Sequence, residues 1–160
     1  MKFTTISQTL LLAFSPLAIS ATTPTQVSDP ASVCYNSPVP TPSPINTNRT
    51  IPWGTPSYTL PNGTTCCDSL DQVRAGINDI NAQLVDLLAQ RAAYVREATR
   101  FKATLGDVNV PSRNQEVIDG AVALANQTVP RLPEEIARGV FEAIINESVP
   151  FEECVWAISS

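Results

Sequence analysis

Four cationic side chains lie in the part of the chain that has a helical apolar period: Arg74, Arg91, Lys102 and Arg113. Arg91 is the only charged member of a seam with 3-4-3-4 spacing, which runs through Leu70, Val73, Ile77, Ile80, Leu84, Leu87, Arg91, Tyr94, Ala98 and Phe101. A guanidinium keeps its charge among apolar side chains, so it needs an anion beside it, supplied by the protein or by a ligand. The seam therefore predicts an anion-binding site at Arg91.

The spacing of other polar residues places several of them near Arg91. Lys102 follows it by close to three helical turns, so the two lie on nearly the same face, about 16 Å apart along the axis. The gap between the two inward-leaning side chains suits a small anion of about ten heavy atoms, held at both ends. Arg113 falls on the inward side of a second helix, and Ser148 and Glu152 share a face of the last helix.

Each of these residues also has an ordinary structural interpretation. Arg91 could set the register of the helix by pairing with a carboxylate such as Asp86 or Glu97. Lys102 and Arg113, taken singly, are typical of surface cations near helix ends. Only their joint spacing favours a common site over separate solvated charges.

Composition and charge limit the class of protein. A chain of 160 residues with 43% hydrophobic residues permits one modest domain, and a net charge of -5 argues against a nucleic-acid partner. Residues 1–21 combine Lys2, a short apolar stretch and small residues, which predicts a cleaved secretory signal peptide and an extracellular protein with no membrane span. Residues 22–65 are rich in Pro and Thr and predict a flexible arm, so that residues 66–160 form the folded domain.

The cysteines fit an oxidising compartment. Four of them, an even number, allow two disulfides: Cys34, Cys66, Cys67 and Cys154. Because vicinal cysteines rarely bridge each other, we expect one of the central pair to reach Cys34 and the other Cys154. The chain has no histidine and no paired C-x-x-C pattern, so no metal site is expected. Four sequons are candidate N-glycosylation sites: Asn48, Asn62, Asn126 and Asn146.

The apolar periods predict an all-α fold of three helices with no strand. The first begins after Ser69, which forms a capping-box pattern with Gln72, and runs to about Lys102. The second begins near Pro111 and ends near Asn126, and the third begins at Glu134. A first helix of about 50 Å is roughly twice as long as the others, so one subunit cannot cover it. We therefore expect an intertwined homodimeric helical bundle in which the long helices are exchanged.

Several segments carry a resemblance to a known family. They are the stretch RAGINDINAQLVDLLAQR (residues 74–91), Lys102, the tripeptide PSR (residues 111–113) and the stretch FEAIINES (residues 141–148). In order and spacing these segments resemble the small, all-helical chorismate mutases. The resemblance covers about residues 68–156 and implies chorismate as the substrate, an intertwined dimer and no cofactor.

The resemblance also implies roles for individual residues. Arg91 and Arg113 would bind the substrate's carboxylates with help from Ser148, and Arg74 would enter from the other subunit. Lys102 would donate to the ether oxygen of the bond that breaks. Glu152 stands where the family has its second donor to that oxygen, and as a donor it must be protonated.

Two positions depart from the pattern of the family, and a proline in the last helix is a separate feature. Val110 stands where an acidic residue is usual, and Asn114 stands where a glutamate binds the ring hydroxyl of the substrate. Asn114 keeps a carbonyl acceptor, so we expect weaker binding there. Pro150 lies between Ser148 and Glu152 and is expected to kink the last helix and turn Glu152 away.

Two other functions remain open. An isochorismate pyruvate lyase of the same fold would carry similar residues. A non-catalytic secreted effector or binding protein could use the same helical scaffold together with its Pro-rich arm.

Overall fold

The computed structural model describes residues 29–41 and 48–158, and over these ranges the fold is dominated by three helices. They are α1 (Leu70–Ala98), α2 (Pro111–Ala125) and α3 (Glu134–Ile158). The predicted all-α class is confirmed, and each helix begins within a residue or two of its predicted start. The predicted signal peptide, residues 1–21, lies outside the described residues.

The start of α1 is fixed by side-chain capping. Ser69 Oγ accepts a hydrogen bond from the backbone N–H of Gln72 (3.2 Å), and Gln72 Oε1 accepts one from the backbone N–H of Asp68 (2.8 Å). These bonds satisfy donors that the first turn of a helix leaves free. At the other end α1 tightens into a 3-10 turn, Thr99–Phe101, and the chain turns extended at Lys102.

The connections to α2 and α3 are short. A 3-10 turn, Leu105–Asp107, is closed by Thr104, whose backbone N–H and hydroxyl both donate to the carboxylate of Asp107 (2.8 and 2.9 Å). Pro111 opens α2, where its missing N–H costs no hydrogen bond. Helix α3 continues through Pro150 to Ile158, so the proline does not end the helix.

The buried core of the subunit is small and lies between α2 and α3. Its apolar members are Val108, Ile118, Ala121, Ala125, Ala137 and Ile145. Helix α1 contributes no buried residue, and the apolar seam defined above is open to solvent: Ile77, Leu84 and Leu87 are 53%, 49% and 59% exposed. A soluble subunit rarely leaves so long an apolar stripe uncovered.

The N-terminal arm is more structured than its composition predicts. It contains a 3-10 helix, Pro30–Tyr35, and an antiparallel hairpin formed by β1 (Tyr58–Thr59) and β2 (Thr65–Cys66). The prediction of a chain without strands is therefore wrong here. The turn explains the difference: Gly63 has a φ of +84°, and Asn62 Oδ1 accepts from the backbone N–H of Thr64 (3.0 Å). Asn-Gly between β-forming residues is a hairpin signal that outweighs the flanking prolines.

The first part of the arm lies against the turn between α2 and α3. The backbone N–H of Ser37 donates to Glu134 (3.1 Å), and Arg131 Nη2 donates to the side-chain oxygen of Asn36 (2.9 Å). The described portion of the arm is thus attached to the helical domain at two places, here and at the hairpin. The predicted flexible arm of residues 22–65 is therefore ordered at these two places, and its residues 22–28 and 42–47 lie outside the described residues.

The disulfide pattern differs from our expectation. The structure pairs the neighbouring Cys66 and Cys67 and leaves Cys34 and Cys154 as exposed free thiols. Cys34 lies near the start of α3, as shown by the contacts of Asn36 and Ser37, whereas Cys154 is twenty residues beyond Glu134, or about 30 Å along the helix. The vicinal pair lies just before α1 and is not joined to either of them.

The core between α2 and α3 leads to a stability prediction. Ile145→Ala removes a side chain that is 9% exposed, and we expect it to lower the free energy of unfolding by about 2–4 kcal/mol, since both apolar transfer and packing are lost. Val129→Ala, at a position that is 98% exposed, is the matched control and should change the free energy of unfolding little. Urea denaturation followed by circular dichroism, at one fixed protein concentration, measures both. Equal midpoints for the two variants would contradict the assignment of this core.

Candidate active site

The structure brings Arg91 of α1 and Ser148 of α3 into direct contact. Arg91 Nη1 donates to Ser148 Oγ at 2.7 Å, and both side chains are half-buried. In the described part of the chain no carboxylate lies within ion-pair distance of Arg91, and Glu97 pairs instead with Arg100 (2.8 Å). The register-setting pair with Asp86 or Glu97 is therefore not formed, and the guanidinium is left with a neutral hydroxyl as its hydrogen-bond partner.

Arg91 and Ser148 line a cavity of about 380 Å³ between α1 and α3, which we call the Arg91 cavity. Most of its wall is apolar, and its lining comprises Leu88, Arg91, Ala92, Ala143, Ile144, Glu147, Ser148 and Phe151. The volume suits a ligand of about ten heavy atoms, but Lys102 does not line this cavity and instead lines a separate one with Arg96 and Trp156. Low polarity around a permanent cation strengthens the attraction of that cation for an anion.

Lys102 is held at the end of α1 by two hydrogen bonds. Its ammonium Nζ donates to the backbone carbonyl of Asp107 (2.9 Å), and its own carbonyl accepts from the indole N–H of Trp156 in α3 (3.1 Å). The turn that carries the Asp107 carbonyl is itself fixed by hydrogen bonds from Thr104 to the Asp107 carboxylate. The same bonds hold the pKa of that carboxyl below its usual value. Lys102 is thus fixed both to the loop before α2 and to the last turns of α3.

Glu152 lies close enough to Lys102 to interact with it electrostatically. Burial raises the pKa of Glu152 above its usual value, and the positive charge of Lys102 opposes that rise. Glu152 Oε1 is buried without a hydrogen-bond partner. Because α3 continues through Pro150, Ser148 and Glu152 stay one helical turn apart on the same face, and the predicted displacement of Glu152 by Pro150 is wrong.

Three of the predicted residues lie apart from these two pairs within one subunit. Arg113 is exposed and forms an ion pair with Glu116 (3.1 Å), while Asn114 donates to the side chain of Asn109 (2.9 Å). Arg74 pairs with Asp71 (3.2 Å) near the start of α1, roughly 25 Å along the helix from Arg91. A single subunit therefore assembles Arg91 with Ser148 and Lys102 with Glu152, and leaves the remaining cations on its surface.

Sequence reasoning missed the part played by Trp156. Its indole N–H joins the end of α3 to the end of α1, and this sets the position of Lys102 relative to Glu152. Buried indole N–H groups usually donate to an acceptor. A tryptophan on the inner face of the last helix could therefore have indicated a hydrogen bond from α3 to another element.

Two searches over the described residues gave negative results. Within residues 29–41 and 48–158 no group of three or more His, Cys, Asp or Glu side chains is arranged to hold a metal ion. Across the same ranges, every helix is too short or too polar to span a bilayer.

Comparison with known proteins gives one match. The family model for chorismate mutase type II matches residues 73–153, slightly more than half of the 160-residue chain. A search of curated proteins finds no match. The matched region contains all seven residues predicted for the site: Arg74, Arg91, Lys102, Arg113, Asn114, Ser148 and Glu152. The half-buried Arg91 without a carboxylate partner and the all-helical fold are consistent with that match, and the chain belongs to the type II chorismate mutase family, isomerases that convert chorismate to prephenate.

Proposed function

We propose that this chain is a secreted chorismate mutase that works as a homodimer and without a cofactor. The observation that carries the proposal is Arg91, a permanent cation that is half-buried beside an apolar cavity with a neutral hydroxyl as its partner. Such a charge is costly unless an anion joins it. A carboxylate of the substrate supplies the missing negative charge.

The reaction suits the groups that are present. Chorismate rearranges in one step, in which a carbon–oxygen bond breaks while a carbon–carbon bond forms within the same molecule. No proton needs to be removed and no nucleophile is required. Catalysis then consists of holding the compact conformer of the substrate and stabilising the negative charge that gathers on the ether oxygen.

The two assembled pairs divide these tasks. Arg91 and Ser148 hold one carboxylate of the substrate in the Arg91 cavity. The Lys102 ammonium has three donors and uses one for the Asp107 carbonyl, so it keeps donors for the ether oxygen. Glu152 Oε1 is buried, and burial raises the pKa of this carboxyl. Glu152 therefore acts as the second donor in its protonated form.

The residues at the start of α2 complete the substrate site after a small rearrangement. The ion pair of Arg113 with Glu116 is solvent-exposed, and such pairs contribute little, so a substrate carboxylate can take the place of Glu116. Asn114 offers its side-chain carbonyl to the ring hydroxyl, which a shorter side chain reaches less well than glutamate would. We expect weaker substrate binding as the consequence.

The uncovered seam of α1 supports the homodimer. Helix α3 meets α1 at its C-terminal half, through Arg91, Lys102 and the lining of the Arg91 cavity, and the N-terminal half keeps an open apolar seam. If two copies of α1 pair antiparallel, the bare N-terminal half of each faces the C-terminal half of the other, next to the α3 that contacts it. With the contact centred on Leu84, the midpoint of α1, Arg74 lies level with residue 94 of the partner, within one turn of the partner's Arg91.

Secretion is supported by residues 1–21 and by the surface position of the sequons. Asn48, Asn62, Asn126 and Asn146 are all exposed in the described structure. Asn126 already uses its side-chain amide to donate to Glu134 (2.9 Å), so the other three are the better acceptors for a glycan. The corresponding domain layout is a signal peptide (1–21), an arm (22–65) and the catalytic helical domain (66–160).

The direct test of the proposed function is incubation of the purified protein with chorismate at pH 5 and pH 7.5, with the loss of chorismate absorbance as the measurement. We expect prephenate as the product without any added cofactor, and an unchanged rate after treatment with a chelator. Release of pyruvate from isochorismate, with chorismate untouched, would assign the lyase activity instead. If neither substrate reacts and neither raises the melting temperature, the scaffold does not bind these ligands and the proposal is wrong.

The raised pKa of Glu152 gives a pH prediction. The donor role needs the protonated carboxyl, so kcat/KM should be highest below the raised pKa and fall as the pH rises through it. Glu152→Gln keeps a donor at every pH, and its profile should be flat over this range. Initial rates of wild type and variant from pH 4 to 8 measure the difference. A wild-type rate that increases from pH 5 to pH 8 would remove Glu152 from this role.

The shared site gives a complementation prediction. Arg74→Ala and Arg91→Ala should each lower kcat/KM by about 100-fold or more, because each removes a cation that meets the substrate. A refolded equimolar mixture should regain roughly a quarter of the wild-type activity, since half of the dimers are mixed and each carries one intact site. Arg49→Ala removes an exposed arginine of the N-terminal arm, outside the matched residues 73–153, and is the control. A mixture as inactive as its components would show that Arg74 does not act across the interface.

A further inference from the structure

A large cavity lies between the N-terminal hairpin and α1, outside the site already described. It has a volume of about 860 Å³ and a mainly apolar lining. Its hairpin wall is formed by Tyr58, Leu60, Pro61, Thr64, Thr65, Cys66 and Cys67, and its helix wall includes Val73, Gly76, Ile77 and Ile80. We call it the hairpin groove. The hairpin lies before residue 73, where the family match begins, so this groove is a feature of the present chain.

The floor of the hairpin groove is part of the exposed seam of α1. Val73, Ile77 and Ile80 line the groove and are 39%, 53% and 54% exposed, and all three belong to the 3-4-3-4 seam. The hairpin stands beside these residues without covering them. Any element that covers the seam must therefore pass through the groove and meet the hairpin.

Helix α3 carries a second uncovered apolar stripe. Ile136, Val140 and Phe151 are 52%, 48% and 42% exposed, and with Ala143 they recur at intervals that keep them on one side of the helix. Phe151 and Ala143 also line the Arg91 cavity. The chain thus presents two open apolar surfaces, one concave at the hairpin groove and one convex on α3.

The antiparallel pairing of α1 places these two surfaces opposite each other. About an axis at Leu84, Ile77 is level with residue 91 of the partner and Ile80 with residue 88, because each pair is equally distant from residue 84. Leu88 and Arg91 line the Arg91 cavity together with Ala143 and Phe151. The hairpin groove of one subunit therefore lies at the same level along the paired helices as the α3 surface of the other.

We propose that the hairpin Tyr58–Cys66 is an intersubunit element: the groove between it and α1 receives helix α3 of a second copy of this chain, beside the partner's substrate cavity. This inference rests on the dimer proposed above and adds a contact that α1 and α3 alone do not provide. Burial of both apolar surfaces supplies the attraction. The hairpin then closes one side of the cavity in which the partner binds its substrate.

A matched pair of variants tests the contact. Leu60 lines the groove, whereas the neighbouring Thr59 points to the other face of the strand and does not. Leu60→Asp should raise the dimer dissociation constant at least tenfold, measured by sedimentation, and raise KM for the same reason, whereas Thr59→Asp should leave both unchanged. Ile77→Asp, in the seam itself, is the positive control for dissociation.

The outcomes separate the hairpin from the dimer. If Ile77→Asp dissociates the dimer while Leu60→Asp behaves like wild type, the hairpin contact is wrong and the dimer stands. If wild type is monomeric at the concentrations of the activity assay, both the dimer and the hairpin contact are overturned.

A cross-linking measurement covers the case in which Leu60→Asp only unfolds the hairpin. p-Benzoyl-phenylalanine replacing Leu60 is irradiated in a mixture of light and nitrogen-15-labelled protein, and mixed-isotope peptides identify links between subunits. We expect such links to residues 136–151, with far fewer when the photoprobe replaces Thr59. Links confined to peptides of a single isotope would overturn the proposal.

Discussion

The constraint behind this structure is the length of α1. A helix of 29 residues with an apolar seam along one side offers more surface than two shorter helices can cover. Its C-terminal half is met by α3, and its N-terminal half has only a small hairpin beside it. The hydrophobic effect acts on the bare half as strongly as on a core, so the seam remains a strong driving force for association.

The same helix determines the electrostatics of the site. It carries Arg91 and, just past its last turn, Lys102, so the distance between the two cations is set by the helical rise and not by flexible loops. Helix α3 sets Ser148 against the first cation and Glu152 near the second. Burial thereby makes the charged state of two groups costly: Arg91 is a half-buried cation without a counter-ion, and the pKa of Glu152 is raised. A dianionic substrate with a developing oxyanion complements both.

Much of this arrangement could be read from the sequence. The apolar period of α1, the Ser69 cap, Pro111 at the start of α2 and the acidic first turn of α3 are local signals, and local signals fix the ends of helices. Spacing and the family resemblance assigned Arg91 and Ser148 to one site, but did not predict their direct contact, which spans 57 residues. The bond from Trp156 to the Lys102 carbonyl did not, because its acceptor is a backbone group whose position depends on how the helices end.

The failed expectations have different causes. The hairpin was not predicted, because the prolines around it favoured a flexible arm. Its Asn-Gly turn is nevertheless a strong local signal. The pairing of cysteines depends on which distant segments meet, and sequence alone does not contain that information. Pro150 was expected to turn Glu152 away from the site, but Glu152 stays near Lys102, and contacts of α3 on both sides of the proline, at Ser148 and at Trp156, attach it to the end of α1.

Lys102 is restrained at both its ends, by the Asp107 carbonyl on its side chain and by Trp156 on its main chain. A lysine loses up to about 2 kcal/mol of rotamer freedom when it is immobilised, and here that loss occurs during folding. In the proposed mechanism the substrate meets an ammonium that is already ordered, so little reorganisation is needed as the ether bond lengthens. On this mechanism, the rigidity of the helix ends that hold Lys102 contributes to the rate of the proposed reaction.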